Sequence, residues 1–410
     1  MISAYACEPN RGSEPSVGWN FVITMAKHHD LTVLTRKNNK KIIEEYLQRK
    51  PINIEFIYHD LPKWASWWKK ESRGVQLYYY LWQLSAIPLV KKCNRKSNFD
   101  LCQHLTFVKY WVPSCLAWLN IPFIWGPVGG GDSTPKGFLR KAGCKSRFYE
   151  LTREFTKKVA VIDPLLRFTA QRCSINISVT EETSQCVKKL NRKIKTKLMT
   201  QVGITSEELT KIDETIADKK TSDNTIFLFA GNLLFLKGIH LGLNAFVKCE
   251  QKNSQFWIVG EGPERNRLEQ LAIEKGIYDR VHFLGQKTRD EVWKLMKTAD
   301  IIVHPSLHDS GGFVPIEAMS CEKPIICLDT AGPSILVPDS AGCKIAVISK
   351  DKTIEEICNS MNQLAKNSQL RQKMGESGRE YVKEHLLWQN RITKFSEIYL
   401  DITKNGEARR

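Results

Sequence analysis

His304-Pro305-Ser306-Leu307-His308-Asp309-Ser310-Gly311-Gly312-Phe313-Val314-Pro315-Ile316-Glu317-Ala318-Met319 is the stretch on which the reading of the fold rests. The apolar run Ile301–Val303 enters it as a buried strand would, and two glycines, Pro315 and an apolar helical segment follow. Glycine lets backbone approach a ligand closely, and proline is tolerated in a first helical turn. The free N–H groups of a helix start, with the positive end of its dipole, suit a phosphate. Asp309 and Glu317 bracket the turn, and one carboxylate can accept hydrogen bonds from two neighbouring hydroxyls. The stretch therefore predicts a strand–turn–helix site for a sugar and a phosphate. Taken alone, Glu317 also reads as an ordinary carboxylate complementing a helix start.

Outward from this stretch, short apolar strands alternate with amphipathic helices. Strands are expected at Thr225–Ala230, Phe256–Val259, Val281–Leu284, Ile301–Val303 and Pro324–Leu328. Ile239, Leu243 and Phe246 recur at helical spacing, as do Leu268, Leu271 and Ala272. Thr288 with Glu291 reads as a capping box opening a helix that carries Val292, Leu295 and Met296. The first half repeats the pattern less cleanly, with strands at Leu31–Thr35, Ile54–Tyr58, Leu101–Gln103, Phe123–Trp125 and Ile175–Val179. The strand near Met1 reads as clipped. Such alternation predicts an α/β chain with parallel sheets covered on both faces. A length of 410 residues allows two substantial cores. The hinge is expected around Gln201-Val202-Gly203-Ile204, before the polar run Thr205 to Asn224.

Two further strand-to-helix turns carry chemistry. In Ala230-Gly231-Asn232-Leu233-Leu234-Phe235-Leu236-Lys237-Gly238, Lys237 could reach a diphosphate and offset charge on a leaving group. Most loop lysines are merely exposed, so position carries this reading. In Val259-Gly260-Glu261-Gly262-Pro263-Glu264, Gly262 would allow close approach to a base or ribose, or simply make a turn.

Asp309 and Glu317 are separated by seven residues, and Glu317-Ala318-Met319 precedes Cys321-Glu322-Lys323-Pro324. This resembles the E-x7-E segment of the retaining family 4 glycosyltransferases, whose fold is GT-B: two Rossmann-like parallel-sheet domains facing a central cleft. The resemblance implies that Glu317 contacts the nucleotide ribose and Asp309 the donor sugar. It implies that Lys237 and Asn232 hold the diphosphate, with Asn232 standing where the family has arginine. Gly311, Gly312 and Phe313 would present backbone to the same donor, and Thr330-Ala331-Gly332-Pro333 would add backbone groups nearby. Tyr5-Ala6-Cys7-Glu8-Pro9-Asn10-Arg11-Gly12-Ser13-Glu14 resembles the family's first glycine-bearing loop, making Gly12 and Ser13 candidate donor contacts. His104 resembles a cleft histidine that could bond the sugar or manage the acceptor proton, although a lone histidine after a strand is more often structural. Ile124-Trp125-Gly126-Pro127-Val128-Gly129-Gly130-Gly131 would line the acceptor side or form a flexible linker. Domains are expected at 1–203 and 204–384, with a terminal helix at 385–410 bearing Ile392, Phe395, Ile398 and Tyr399 and returning to the first domain.

The implied reaction moves a sugar from a nucleotide-diphosphate donor to a polysaccharide or lipid-linked acceptor. No metal or other cofactor is expected, because no Asp-x-Asp pair occurs and Pro305 argues against His304 and His308 as a helical ligand pair. Twelve cysteines without a C-x-x-C pair fit reduced thiols and a cytoplasmic setting, and no secretory signal is read at the start. A net charge of +17 fits an anionic partner. No nucleic-acid-binding signature accompanies it, so a basic nucleic-acid-binding module is the weaker alternative. A GT-B phosphorylase or epimerase, or a catalytically silent nucleotide-sugar binder, would share the pattern. Trp64, Trp67, Trp68, Lys69, Lys70 and Arg73 form an aromatic-basic cluster before Tyr78, Tyr79, Tyr80, Leu81 and Trp82. That cluster suits an anionic membrane surface or, equally, a helix packed in the first domain.

Overall fold

The computed structural model describes residues 1–9, 11–69, 74–135, 137–141, 144–218 and 224–407, with the side chains at 140, 141, 144–146, 149 and 405–407 left out. Lys70 and Arg73 of the aromatic-basic cluster therefore lie outside the described residues. The chain divides into two compact units. The first comprises Met1–Asp132, Thr152–Gln201 and Trp388–Arg410; the second comprises Ser133–Leu151 and Val202–Leu387.

Each unit is built on a parallel sheet. The first sheet contains β1 (Ile2–Ala4), β2 (Leu31–Arg36), β3 (Ile54–His59), β4 (Cys102–Thr106), β5 (Phe123–Val128), β6 (Ile175–Ser178) and β7 (Thr196–Leu198), in the order β3-β2-β1-β4-β5-β6-β7. The second contains β8 (Ile226–Ala230), β9 (Gln255–Val259), β10 (Val281–Gly285), β11 (Ile301–His304), β12 (Ile325–Leu328) and β13 (Gly342–Ile345), in the order β10-β9-β8-β11-β12-β13. In both, the strand order reverses beside the first strand of the unit. Doubly wound sheets take ligands at such a reversal, outside the carboxyl ends of the strands.

The sequence explains the central strands. Ile-Phe-Leu-Phe-Ala in β8 and Ile-Ile-Val-His in β11 are buried throughout, as strands covered on both faces require. Beneath them Phe227, Phe246 and Phe256 meet, with ring centroids 5.9 Å apart for Phe227–Phe246 and 5.6 Å for Phe246–Phe256. β1 is only three residues long yet sits in the middle of its sheet, pairing with β2 and β4. The core of the first unit is aromatic, with Tyr79, Trp82 and Trp125 fully buried. Of the aromatic run that follows the aromatic-basic cluster, Tyr78, Tyr79 and Trp82 are therefore interior.

The final helix, Trp388–Glu407, packs on the helix Glu14–Met25 within the first unit. Phe395 meets Phe21 edge-on at 4.9 Å, and His29 Nε2 lies 3.0 Å from Ser396 Oγ. The Tyr399 hydroxyl bonds to Gln103 Oε1. No helix among the described residues is long and apolar enough to cross a membrane.

Candidate active site

At the carboxyl ends of β8 and β11, two loops close on one another. Gly238 has φ of 68°, and a Cβ there would fall 1.8 Å from the carbonyl oxygen of Pro305. Only glycine permits that backbone approach. The amide of Leu307 donates to Leu236 O at 2.8 Å, fixing the register of the loops. The result brings Lys237 Nζ within 2.6 Å of Asp309 Oδ2.

Asp309 is held from several sides. His304 Nε2 lies 3.3 Å from the same oxygen. A Cβ on Gly312 would fall 2.6 Å from it, so the glycine leaves room for the carboxylate over the start of the helix Phe313–Ser320. Gly311 N–H points at Asp309 Oδ1 from 3.4 Å. Burial works against ionisation here, but the His304 contact and the Lys237 charge outweigh it and hold the carboxyl well below the usual carboxylate range. Gly332 completes the cradle by donating its N–H to Asp309 O at 2.8 Å.

Glu317, one turn into the helix, is buried and paired. Arg289 Nε donates to Glu317 Oε1 at 2.7 Å, and the same guanidinium also bonds Glu208. Its carbon lies 4.8 Å from the ring centre of Trp293 and 5.8 Å from that of Phe313. Burial opposes the charge on Arg289, and Glu317 and Glu208 more than restore it, raising its pKa. The capping box of Thr288 and Glu291 is present, with both of its hydrogen bonds.

The third turn is set by contacts between backbones. A Cβ on Gly262 would meet Leu233 O at 2.5 Å, and Leu233 exchanges bonds with Glu261 O and Glu264 N. Gly262 thus serves the packing of one loop on the next, as the plain-turn reading of this residue has it. Asn232 is exposed at the same end of the sheet.

In the first unit, Ser13 precedes the helix Glu14–Met25 with φ of 65°, and Phe107 has φ of 60°. Glu14 accepts a hydrogen bond from the Phe107 amide, joining the two strained positions. Left-handed non-glycine residues gather at functional sites. Gly12 is exposed, and a Cβ there would meet nothing within 4 Å. The run Gly129-Gly130-Gly131 is buried and tied down: Gly131 N donates to Thr183 Oγ1 at 3.0 Å and Arg153 Nη2 to Gly130 O at 2.8 Å. A flexible linker is therefore not what this run forms.

His104 is enclosed in β4. Its Nε2 lies 2.6 Å from Tyr79 Oη and 3.1 Å from Gln83 Nε2, and burial lowers its pKa to about 3. This is the geometry of a neutral interior imidazole, and it offers no ground for a proton-handling role. A hollow of about 700 Å³ lined by Met1, His28, His29, Asp30 and Tyr399 lies at the amino ends of the same sheet, the end opposite the loops.

Residues 211–381 match the family described as glycosyl transferases group 1. The matched residues lie within the second unit. An uncharacterized glycosyltransferase of Methanocaldococcus jannaschii is 36% identical over 111 residues, 27% of this chain and 28% of the relative. The lipopolysaccharide core biosynthesis glycosyltransferase LpsD of Rhizobium meliloti is 30% identical over 200 residues, 47% of this chain and 54% of LpsD. The chain thus spans about half or less of the length of these curated relatives. Anabaena HepE, solved in complex with UDP and glucose, superposes with a TM-score of 0.61 at 17% identity, covering 98% of this chain and 100% of HepE. The fold is GT-B.

Within the matched residues, Lys237, Asp309, Gly311, Gly312, Phe313 and Glu317 all lie in the second unit, whereas Gly12, Ser13 and His104 belong to the first. Two participants were missed in the sequence. In the sequence His304 reads only as a metal-ligand candidate, and Arg289 stands outside the motifs. Arg289 had a signal: a cation in a first helical turn opposes the dipole and needs carboxylates to hold it. Among the described residues, no group of three His, Cys, Asp or Glu side chains is placed to hold a metal ion.

Proposed function

We propose that this chain is a retaining glycosyltransferase that moves a sugar from a nucleotide-diphosphate donor to a polysaccharide or lipid-linked acceptor. The observation that carries the reading is the convergence of Lys237 and Asp309 where the strand order reverses, at a glycine-rich helix start. Lys237 would neutralise charge building on the departing diphosphate, with Gly311 and Gly312 supplying backbone N–H groups. Glu317 would accept bonds from the ribose hydroxyls through its second oxygen. Asp309 would orient the donor sugar. Gly12 and Ser13 are kept as donor-contact candidates on the resemblance of their loop alone. The HepE complex with UDP and glucose supports a donor of this class. We assign the reaction to the cytoplasmic side, where reduced thiols like the free cysteines here persist.

The reading includes turnover without a divalent ion, motivated by the cation at position 237 and the absent Asp-x-Asp pair. The test is donor hydrolysis and transfer across a panel of nucleotide sugars, with and without chelator. Lys237→Ala should lower turnover by about two to three orders of magnitude while weakening donor binding less. No turnover with any donor, or full activity in folded Lys237→Ala, would reject the site. Activity lost to chelator and restored by magnesium or manganese would reject metal independence alone.

A further inference from the structure

The helix Cys144–Ala160 is inverted relative to an ordinary surface helix. Its charged residues Glu150, Arg153 and Lys157 are buried, while Phe148, Leu151, Phe155 and Val159 face solvent. The buried polar face has a local cause. Arg153 donates to Gly130 O, and Lys157 Nζ donates to Asp132 O at 2.9 Å, so the cations satisfy carbonyls at and just beyond the glycine-rich run. The apolar positions recur every three or four residues and form one stripe. An amphipathic helix normally buries such a stripe.

The part of this stripe that lies in the first unit, Phe155 and Val159, runs into other exposed apolar groups. Phe155 is 68% exposed and Ile162, just past the helix, 72%. The neighbouring Asp163 accepts a hydrogen bond from Tyr80 at 2.8 Å, on the helix that also exposes Leu77. Beside that helix, tied by Leu61 N to Tyr78 Oη at 3.4 Å, is the turn bearing Trp64 and Trp67, 79% and 78% exposed. Isolated exposed apolar residues are unremarkable, but clusters of this size mark interaction surfaces.

Charge identifies the occupant. Next to Ile162, a hollow of about 470 Å³ is lined by Val161, Gln185, Lys188, Lys189 and Arg192, three cations without an acid. None of the three has an ion-pair partner among the described residues. The whole chain carries +17. Aromatic and aliphatic side chains bordered by unpaired cations match the headgroup boundary of an anionic bilayer.

We propose that this face of the first unit docks on an anionic lipid surface. Phe155, Val159, Ile162, Trp64 and Trp67 enter the headgroup boundary, and Lys188, Lys189 and Arg192 hold lipid phosphates. The inference is independent of the donor site, and its readout involves no nucleotide sugar.

The experiment is sedimentation of the full chain with vesicles of equal phosphatidylglycerol and phosphatidylcholine, and with phosphatidylcholine alone. Binding should require the anionic lipid and weaken as salt rises. Phe155→Ser with Ile162→Ser should lower partitioning about tenfold or more, with an unchanged thermal midpoint because both side chains are exposed. Lys188→Gln with Lys189→Gln and Arg192→Gln should lower it about tenfold to a hundredfold at low salt and flatten the salt dependence. Unchanged binding in either folded variant would overturn the proposal. So would absence of vesicle binding together with a concentration-dependent dimer that the Phe155 and Ile162 changes dissolve, which would assign the stripe to a second copy of the chain.

Discussion

Lys237 Nζ and Asp309 Oδ2 are 2.6 Å apart, so the cation and the acid assigned to the donor are paired with each other. Asp309 stands over the start of the helix Phe313–Ser320, where a donor phosphate would otherwise gain most from the backbone N–H groups. On the proposed reading, an incoming diphosphate would share Lys237 and Gly311 N–H with a carboxylate. The pair keeps Lys237 extended toward the loop at the cost of competing with the ligand.

Asp309→Asn tests this competition. Removing the charge should tighten binding of the free nucleoside diphosphate severalfold, about 1 kcal/mol at an effective dielectric suited to a partly exposed site. Sugar transfer should nevertheless fall, since the donor sugar loses its acceptor. Calorimetric titration with UDP and other nucleoside diphosphates, beside turnover of the matching sugars, separates the two effects. Weaker diphosphate binding in the variant would mean that Asp309 serves mainly to hold Lys237 in place.

Much of the fold was legible because the central strands are continuous apolar runs. Ile226–Ala230, Ile301–His304 and Leu31–Arg36 lie within a residue of the expected positions. The edge strands β7 and β13 were not seen. Thr-Lys-Leu and Gly-Cys-Lys-Ile carry lysines on a sheet edge, where charge discourages further pairing, and so have no apolar signature. At the site, acid spacing and glycines gave Asp309 and Glu317, but no pattern in one sequence links Arg289 to Glu208, 81 positions away. Gly262 stays ambiguous in the sequence, because a glycine needed against backbone looks the same as one needed against ligand.

Arg289 is expected to orient Glu317. Glu317→Gln should raise the apparent donor constant by about tenfold, the order of one hydrogen bond to a charged group, and leave turnover at saturation little changed. Arg289→Met should raise the same constant less and lower stability by about 1 kcal/mol, since the guanidinium is a third exposed and the pair is partly screened. The double variant should show less than the sum of the two effects. Strict additivity in donor affinity would show that the two residues act apart.

The glycines divide into structural and functional ones. Gly238→Ala combines a left-handed φ with a Cβ placed on Pro305 O, and should destabilise the second unit by about 3 kcal/mol or more. Gly12→Ala meets nothing and should leave stability within about 0.5 kcal/mol. Urea unfolding of both variants checks the contrast. If Gly12→Ala keeps its stability and loses turnover, the first loop touches the donor; if it keeps both, the loop does not.

Stability should fall as the solution is acidified below neutrality, earlier than carboxylate titration alone would cause. His104 has its pKa lowered to about 3 by burial, and His240 to about 3 by burial and by the charges of Arg267 and Lys350. The ordinary value of each is near 6.5. Between those limits the unfolded chain takes up protons that the folded chain refuses, so stability is lost as pH falls from about 6.5 toward 3. The slope for each residue is at most about 1.4 kcal/mol per pH unit. Asp309 adds to the loss only lower down, because its depressed carboxyl stabilises the fold above the ordinary carboxylate value and that gain goes as pH falls toward its own. His104→Gln keeps an acceptor for the Tyr79 hydroxyl but removes the titration. Its urea midpoint should therefore fall less steeply between pH 6 and pH 4.5 than that of the unaltered chain. His240→Gln should act likewise on the second unit. Equal slopes in all three proteins would mean that both imidazoles take up protons without leaving their places, and that the interior around Tyr79 and Gln83 is wetter than its packing implies.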